Sequence, residues 1–150
     1  MRIRIERAPE LESDEIVIRC REPDDRVEKI CGELRAALDG EMEVEKDGSR
    51  YYIALSEVLF FETSGSGVFA HTADSAYAVK KRLYELEDFL PGCFMRISKS
   101  AIINTDNIYS IEKRPAPPVL VGFANTHKQL YVSRRYYKTL RERLAQRKGY

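Results

Sequence analysis

The sequence has no long hydrophobic run. Among its 150 residues, no uninterrupted apolar stretch approaches the roughly 20 residues that a membrane-spanning helix needs. The first seven residues mix apolar and charged side chains and lack the apolar block of a signal peptide. These absences predict a cytoplasmic protein, whose 43% hydrophobic content builds one main core with at most a small appendage.

The sequence is also poor in residues that bind metals or carry acid-base catalysis. Its three cysteines, Cys20, Cys31 and Cys93, match no zinc-site spacing and are predicted to be small, reduced core residues. The histidines, His71 and His127, stand outside any triad or ligand spacing, and His71 is predicted to lie on a strand surface or edge. No phosphate-binding glycine motif occurs. We therefore expect no metal, no cofactor, no small-molecule substrate and no enzymatic activity.

The net charge of +1 conceals an asymmetry along the chain. Residues 1–50 carry a net charge of −5 and residues 51–126 a net charge of −1, whereas residues 127–150 carry +7. An acidic front and a basic tail favour a polyanionic partner for one end of the fold. The alternative is a helix whose basic side chains are simply solvated.

The first 44 residues are predicted to form a small β-β-α unit. The alternation at residues 2–5 and the apolar run at residues 16–18 predict two short strands. An apolar stripe predicts a helix from about residue 24 to 38, with Asp25 and Glu28 in capping-box positions. Because this unit is too short for an ordinary sensory domain, we expect it to pack on the rest of the chain or on a second copy.

From Glu43 onward the pattern changes to short strands separated by turn signals. Asp47-Gly48 predicts a hairpin turn, and a helix of about three turns is predicted to end at Pro91-Gly92. Strands are predicted at residues 51–55, 58–62, 68–71, 76–79, 107–112, 119–123 and 130–132, with a break at 115–118. Ser133 is predicted to cap a final helix that buries Tyr136, Leu140 and Leu144. The fold class is therefore α+β, mostly β.

Two apolar runs flank a basic, hydroxyl-rich tip, Ser98-Lys99-Ser100. A packed scaffold presents such a tip outward. Serine and lysine donors suit phosphate oxygens and base edges, and no nearby base or metal is available to activate a serine nucleophile. The tip therefore points to nucleic acid, with an ordinary solvated loop as the alternative.

The start of the final helix breaks an electrostatic rule. Arg134 and Arg135 occupy the first turn, where the helix dipole favours acidic residues. A phosphate at this position would accept backbone N–H groups and both guanidinium charges. The alternative is that both arginines extend into solvent.

Four stretches together resemble the LytTR family of bacterial DNA-binding domains, in the family's order and spacing. They are Val58-Leu59-Phe60-Phe61-Glu62, the F.RIS.S.I.N motif of residues 94–104, Asn107-Ile108, and Val132-Ser133-Arg134-Arg135-Tyr136. The resemblance runs from about Glu45 to Leu144. It implies a domain at residues 45–150, built of short antiparallel sheets with flanking helices, that grips duplex DNA through loops in the major grooves. Residues 1–44 are then an extension for dimer or partner contact.

Carried over by position, the resemblance implies DNA-reading loops at residues 63–67, 98–100 and 133–135. Lys99 and Arg134 are predicted to read base edges. Phosphate contacts are predicted for Arg96, Lys128, Arg135 and Lys138. Because the first loop lacks a long polar side chain, it is expected to contact the backbone. The full predicted DNA-binding set is Ser66, Arg96, Ser98, Lys99, Ser100, Asn104, Lys128, Ser133, Arg134, Arg135 and Lys138.

The front of the chain departs from most of the family because 44 residues are too few for a receiver domain. The chain instead resembles stand-alone regulators, which are often paired with a restraining membrane protein. We expect a transcriptional regulator that binds double-stranded DNA as a homodimer on repeated half-sites. The alternative is a protein-binding signalling or scaffold module. DNA binding requires the basic tail and the Ser98–Ser100 tip to share one face.

Overall fold

The structure is a computed structural model that describes residues 1–65, 67–112 and 119–148, without the side chains at positions 36, 39, 147 and 148. Its helices and strands are α1 (Asp25–Asp39), β1 (Glu41–Lys46), β2 (Ser49–Ala54), β3 (Phe60–Ser64), β4 (Gly67–His71), β5 (Ala76–Val79), α2 (Leu83–Phe89), β6 (Phe94–Ser98), β7 (Ala101–Asn104), β8 (Ile108–Glu112), β9 (Val119–Phe123), β10 (Gln129–Val132) and α3 (Arg134–Lys148). None of the described helices is long and apolar enough to cross a bilayer.

The strands form two antiparallel sheets. The larger sheet has the order β2-β1-β5-β4-β3-β7-β6, and the smaller has the order β10-β9-β8. Strand β3, predicted to be apolar on both faces, lies inside the large sheet, paired with β4 and β7. Its Phe61 is fully buried. The predicted α+β architecture of short antiparallel sheets with helices is confirmed.

Local turn chemistry explains the hairpin of β1 and β2. Asp47 and Gly48 both have positive φ, at 50° and 79°, which is the backbone twist that a two-residue hairpin loop requires. Gly40, which ends α1, also adopts the left-handed conformation, with φ at 64°. The helix predicted near residues 24–38 is confirmed. Its N-cap is Asp24, whose side chain accepts the Val27 N–H, and not the predicted Asp25.

Two apolar clusters hold the sheets together. In the first, Leu83 and Leu86 of α2 lie against the large sheet. In the second, Leu140 of α3 is fully buried between the two sheets, and Tyr136 and Leu144 lie beside it, as predicted. Helix α2 has seven residues and is shorter than predicted, because Val79 belongs to β5 and the helix begins only at Leu83.

The prediction of two strands, at residues 2–5 and 16–18, is wrong. Residues 1–24 contain no strand, and Ile3 and Ile5 are 95% and 92% exposed. Alternating apolar residues form a stable strand only where a neighbouring strand supplies hydrogen bonds, and the described chain brings none to this segment. The predicted β-β-α unit is therefore a segment without strands, residues 1–24, followed by α1.

The cysteine prediction is correct in part. All three are free thiols, but Cys20 is exposed, so its assignment to the core is wrong. Cys20 belongs to the segment of residues 1–24, which has no core of its own. Cys31 and Cys93 are partly buried, and burial raises the pKa of the Cys93 thiol.

A bulge shapes the small sheet. The register between β8 and β9 shifts between Ile108 and Ser110, which lets Ser110 lie over Gly122. A Cβ at position 122 would come within 2.5 Å of the Ser110 Oγ, so a glycine fits there. The break predicted at residues 115–118 lies outside the described residues.

Candidate nucleic-acid interface

A tight tip joins β6 to β7. The last paired residues are Ser98 and Ala101, which leaves only Lys99 and Ser100 in the turn. The Ser98 Oγ accepts the Ser100 N–H at 3.2 Å and lies 3.4 Å from the Ser100 Oγ. These contacts orient the turn, while the Lys99 side chain is exposed.

The Arg96 guanidinium stabilises this tip through hydrogen bonds to its backbone carbonyls. Its Nε donates to the Ser98 carbonyl at 2.7 Å, and its Nη2 donates to the Lys99 carbonyl. Its Nη1 donates to a carboxylate oxygen of Glu87, on α2, at 2.9 Å. The guanidinium therefore holds the tip in place, while the predicted phosphate contact of Arg96 stays a prediction.

The other two predicted loops adjoin the tip. The Thr63 N–H, at the end of β3, donates to the Ser100 carbonyl at 2.8 Å, and the Ser133 N–H donates to the Ile97 carbonyl at 3.0 Å. The β3–β4 turn, the tip and the start of α3 therefore meet at one end of the large sheet. Ser66, predicted to contact DNA from the first turn, lies outside the described residues.

The start of α3 places cations beside the tip. Arg134 and Arg135 are exposed, and the first turn contains no acidic residue. The Ser133 carbonyl accepts the N–H groups of Tyr136 and Tyr137, which begins the helix. The Arg135 guanidinium lies 5.5 Å from the centroid of the Tyr136 ring. Lys138, also exposed, is four residues after Arg134 and therefore lies on the same helix face.

Asn104 is remote from this surface and unsuited to DNA contact. It is 1% exposed at the opposite end of β7 from the tip. Its Nδ2 donates to the Val58 carbonyl at 3.0 Å and to the Leu55 carbonyl at 3.4 Å, and its Oδ1 accepts the Asp106 N–H. The buried amide ties β7 to the segment before β3, so the prediction of Asn104 as a DNA contact is corrected to a structural role.

Lys128 also lies away from the tip. Its Nζ donates to the carbonyls of Thr72 and Ser75, at 2.8 and 2.7 Å, and lies 3.2 Å from the His71 Nδ1. These partners follow β4, whose other end faces the tip. The predicted phosphate contact of Lys128 is therefore not supported, because its ammonium group holds the β4–β5 turn against the loop before β10.

Burial and a neighbouring charge keep His71 neutral. Its ring stacks on Phe60 with centroids 4.4 Å apart, on an inner strand of the sheet and not on an edge strand. Burial, and then the charge of Lys128, lower the pKa of His71 to about 4. Burial also lowers the pKa of Lys128.

Sequence reasoning missed two residues beside the tip. Arg82 and Tyr84, at the start of α2, are exposed and line a shallow groove with Gly65, Arg96 and Lys99. The available signal was the basic run Lys80-Lys81-Arg82 directly before a helix.

Comparison with known proteins decides the family. The family model of the LytTr DNA-binding domain matches residues 48–145. The chain belongs to the LytTR family. The matched LytTR segment begins at Gly48, in the turn before β2, and ends within α3, so it contains the tip and both neighbouring loops.

Two relatives and one solved structure are also similar to this chain. A protein of Staphylococcus aureus strain NCTC 8325, named as an uncharacterized HTH-type transcriptional regulator, is 37% identical over 99 residues, which are 66% of this chain and 67% of that protein. Its counterpart in strain MRSA252 is 36% identical over the same shares. The LytTr domain of a putative methyl-accepting/DNA response regulator from Bacillus cereus has a TM-score of 0.65 at 22% identity, covering 70% of this chain and 96% of that one.

The fold of this LytTR chain differs from a helix-turn-helix. Strands separate α1 from α2 and α2 from α3 within the described ranges. The exposed polar groups that meet at the tip come from turns and from the first turn of α3. No recognition helix preceded by a partner helix is present in this part of the chain.

Proposed function

We propose that this protein is a transcriptional regulator that binds double-stranded DNA sequence-selectively, reading the major groove with its tip and with the start of α3. The single observation that carries the proposal is the junction of these elements through the Ser133–Ile97 and Thr63–Ser100 hydrogen bonds. Exposed Lys99, Arg134 and Arg135 thereby share one end of the molecule. This arrangement favours DNA over a purely protein-binding scaffold, since the basic tail and the tip lie together.

The proposed roles follow from exposure and bonding. Lys99 and Arg134 read base edges, because both are exposed and reach guanine acceptors, with arginine able to bind them bidentately. Arg135, Lys138 and Arg82 contact phosphates on either side. Ser98, Ser100 and Ser133 shape the loops and offer short hydroxyl donors to the backbone.

Pre-organisation of the tip is central to this proposal. Arg96 fixes both tip carbonyls before DNA arrives, so little conformational entropy is lost when Lys99 enters a groove. The Glu87 carboxylate in turn fixes the guanidinium. Arg96 acts through the position of Lys99 and not through its own charge.

Repeated half-sites extend the proposal to a homodimer on DNA. One tip and one helix start cover a short stretch of duplex. Two linked copies on two half-sites would raise the affinity by effective concentration, without new base contacts.

A salt titration of binding tests the proposal. With about four to six phosphate contacts per protomer, log affinity should fall against log salt with a slope of about −4 to −5 per protomer. Lys138→Ala should reduce this slope by about 1 for every duplex. The matched control is Lys29→Ala, since Lys29 is exposed on α1, outside the proposed interface, and should leave the slope unchanged. Binding that ignores salt would sink the proposal.

A further inference from the structure

The first residues of the chain expose apolar side chains in a strand-like pattern. Ile3 and Ile5 are 95% and 92% exposed and alternate with Arg2 and Arg4. Arg4 forms an exposed ion pair with Glu6, which lies on the same side of an extended chain. We call residues 2–6 the arm. One side of the arm is apolar and the other charged, which suits the edge of a half-buried sheet.

The large sheet has two edges, and only one is open. At the β6 edge, the Ile97 carbonyl accepts the Ser133 N–H, and Arg143 donates to the Phe94 carbonyl at 3.3 Å. Helix α3 and the end of β10 therefore cover this edge. The β2 edge has no such cover in the described residues, and its Tyr51 and Tyr52 are 44% and 53% exposed.

The hairpin register identifies the free backbone groups of β2. The pair Lys46 and Ser49 closes the two-residue turn, so the hydrogen-bonded pairs continue at Tyr51 and Ile53. The N–H and C=O groups of the alternate residues therefore point outward, away from β1. These are Arg50, Tyr52 and Ala54. A row of outward-facing backbone groups is a template for another strand.

We propose that the arm of one copy adds to the β2 edge of a second copy as an antiparallel strand. In the register that matches both faces, Ile3 lies opposite Ile53 and Ile5 opposite Tyr51. The same register sets the remaining pairs on the other face, with Arg2 opposite Ala54, Arg4 opposite Tyr52 and Glu6 opposite Arg50. The apolar pairs extend the core face of the sheet. The charged face gains a carboxylate–guanidinium pair between Glu6 and Arg50.

Charge complementarity supports a second copy as the occupant. Glu41 and Glu43 of β1 are exposed on the same face as Tyr52, one strand inward from the edge. Arg2 and Arg4 of the arm would lie on that face. In a two-fold symmetric dimer, each arm pairs with the β2 edge of the other copy, whereas the described residues of a single chain leave both the arm and the edge unpaired.

The first test is self-association of the full chain by sedimentation, without DNA. Ile3→Ser combined with Ile5→Ser should weaken the association at least about tenfold, because four buried isoleucines are lost per dimer. The matched control is Ile16→Ser with Val17→Ser, which are also exposed but lie outside the arm. Equal effects of the two pairs, or no self-association of the unaltered chain, would overturn the proposal.

Two substitutions at Arg50 test whether the open β2 edge pairs with the arm. Both Arg50→Pro and Arg50→Ala remove the ion pair with Glu43 and the proposed pair with Glu6, but only proline also removes an outward N–H, and neither breaks a β1–β2 hydrogen bond. Proline should weaken the dimer more than alanine does. Equal dimerisation of these two folded variants would contradict edge pairing.

Cross-linking distinguishes exchange between copies from pairing within one chain. In a chain with Cys20, Cys31 and Cys93 changed to serine, Ile5→Cys and Tyr51→Cys are placed on separate chains and mixed under mild oxidation. The opposed positions form a non-hydrogen-bonded pair, whose Cα spacing of about 4.5 Å suits a disulfide. A covalent heterodimer is expected. Its absence, or an intramolecular bond alone when one chain carries both cysteines, would overturn the proposal. DNA binding is not involved, so either result leaves the proposed function to its own test.

Discussion

Asn104 offers the sharpest separation of a structural role from a DNA-reading role. The residue lies inside the family motif yet is buried, and its side-chain amide donates two hydrogen bonds and accepts one. We predict that Asn104→Ala lowers the free energy of unfolding and, in the folded fraction, leaves base preference unchanged.

The magnitude follows from the partners left behind. After the substitution, the Leu55 carbonyl keeps the Val58 N–H and the Val58 carbonyl keeps the Asn107 Nδ2. Each of these carbonyls therefore keeps one hydrogen bond. The lost hydrogen bonds and the small void should together lower the free energy of unfolding by about 2 kcal/mol. Asn104→Asp should cost more, about 3–5 kcal/mol, because it turns a buried carboxylate toward these carbonyls.

Urea unfolding and duplex titration together check this prediction. Asn107→Ala is the control, since Asn107 donates to the Ser56 and Val58 carbonyls but is only half-buried, and it should cost about 1 kcal/mol. An Asn104→Ala protein with an unchanged unfolding midpoint and an altered base preference would refute the structural assignment.

Three further predictions concern the tip and the sheet. Lys99→Ala and Arg134→Ala should each cost about 1–3 kcal/mol on the preferred duplex and relax preference at particular base pairs, measured by titration against single-base variants; uniform weakening of all duplexes would contradict base reading. Arg96→Lys keeps the charge but loses the forked contacts to both tip carbonyls, so it should weaken DNA binding about as much as Arg96→Ala does; affinity equal to that of the unaltered protein would mean that charge alone matters. The third prediction is a pH effect at His71. Its folded pKa of about 4 lies below the ordinary 6.5, so the unfolded state binds more protons between these values. Stability should therefore fall by about 1–2 kcal/mol, after allowance for solvent screening, as pH drops from 7 to 4. His71→Phe keeps the stacking on Phe60 and should remove this part of the pH dependence in urea unfolding; an unchanged pH dependence would place its origin elsewhere.

Local patterns predicted most of the folded core. The apolar runs of β3 and β7, the Asp47-Gly48 turn and the stripe of α3 each carry a signal of short range, and each formed as predicted. The strand predicted at residues 2–5 did not form, for the opposite reason. Its alternation needs a partner strand, and a partner is a property of the whole assembly that no local pattern specifies.

The candidate site shows the same division. The exposed cations Lys99, Arg134, Arg135 and Lys138 could be predicted, because turns and helix starts of such composition face solvent. The inward roles of Asn104 and Lys128 could not, because they depend on carbonyls that approach from distant parts of the chain. That of Arg96 could not, because it depends on how the β6–β7 turn aims its own carbonyls at the guanidinium. Lys128 bonds to residues more than 50 positions away, and Asn104 to residues more than 45 away. Charge and motif position alone do not distinguish a side chain that bonds within the protein from one that is free to contact DNA.

Selection of bound sequences from a random duplex pool, by the unaltered protein and by Lys99→Ala in parallel, tests the central claim most directly. We predict that the unaltered protein enriches one short motif, repeated at a fixed spacing, and that Lys99→Ala relaxes particular positions within each repeat while Lys29→Ala reproduces the original motif. A pool that stays random with the unaltered protein, or a motif that Lys99→Ala leaves intact, would contradict DNA reading by the β6–β7 tip.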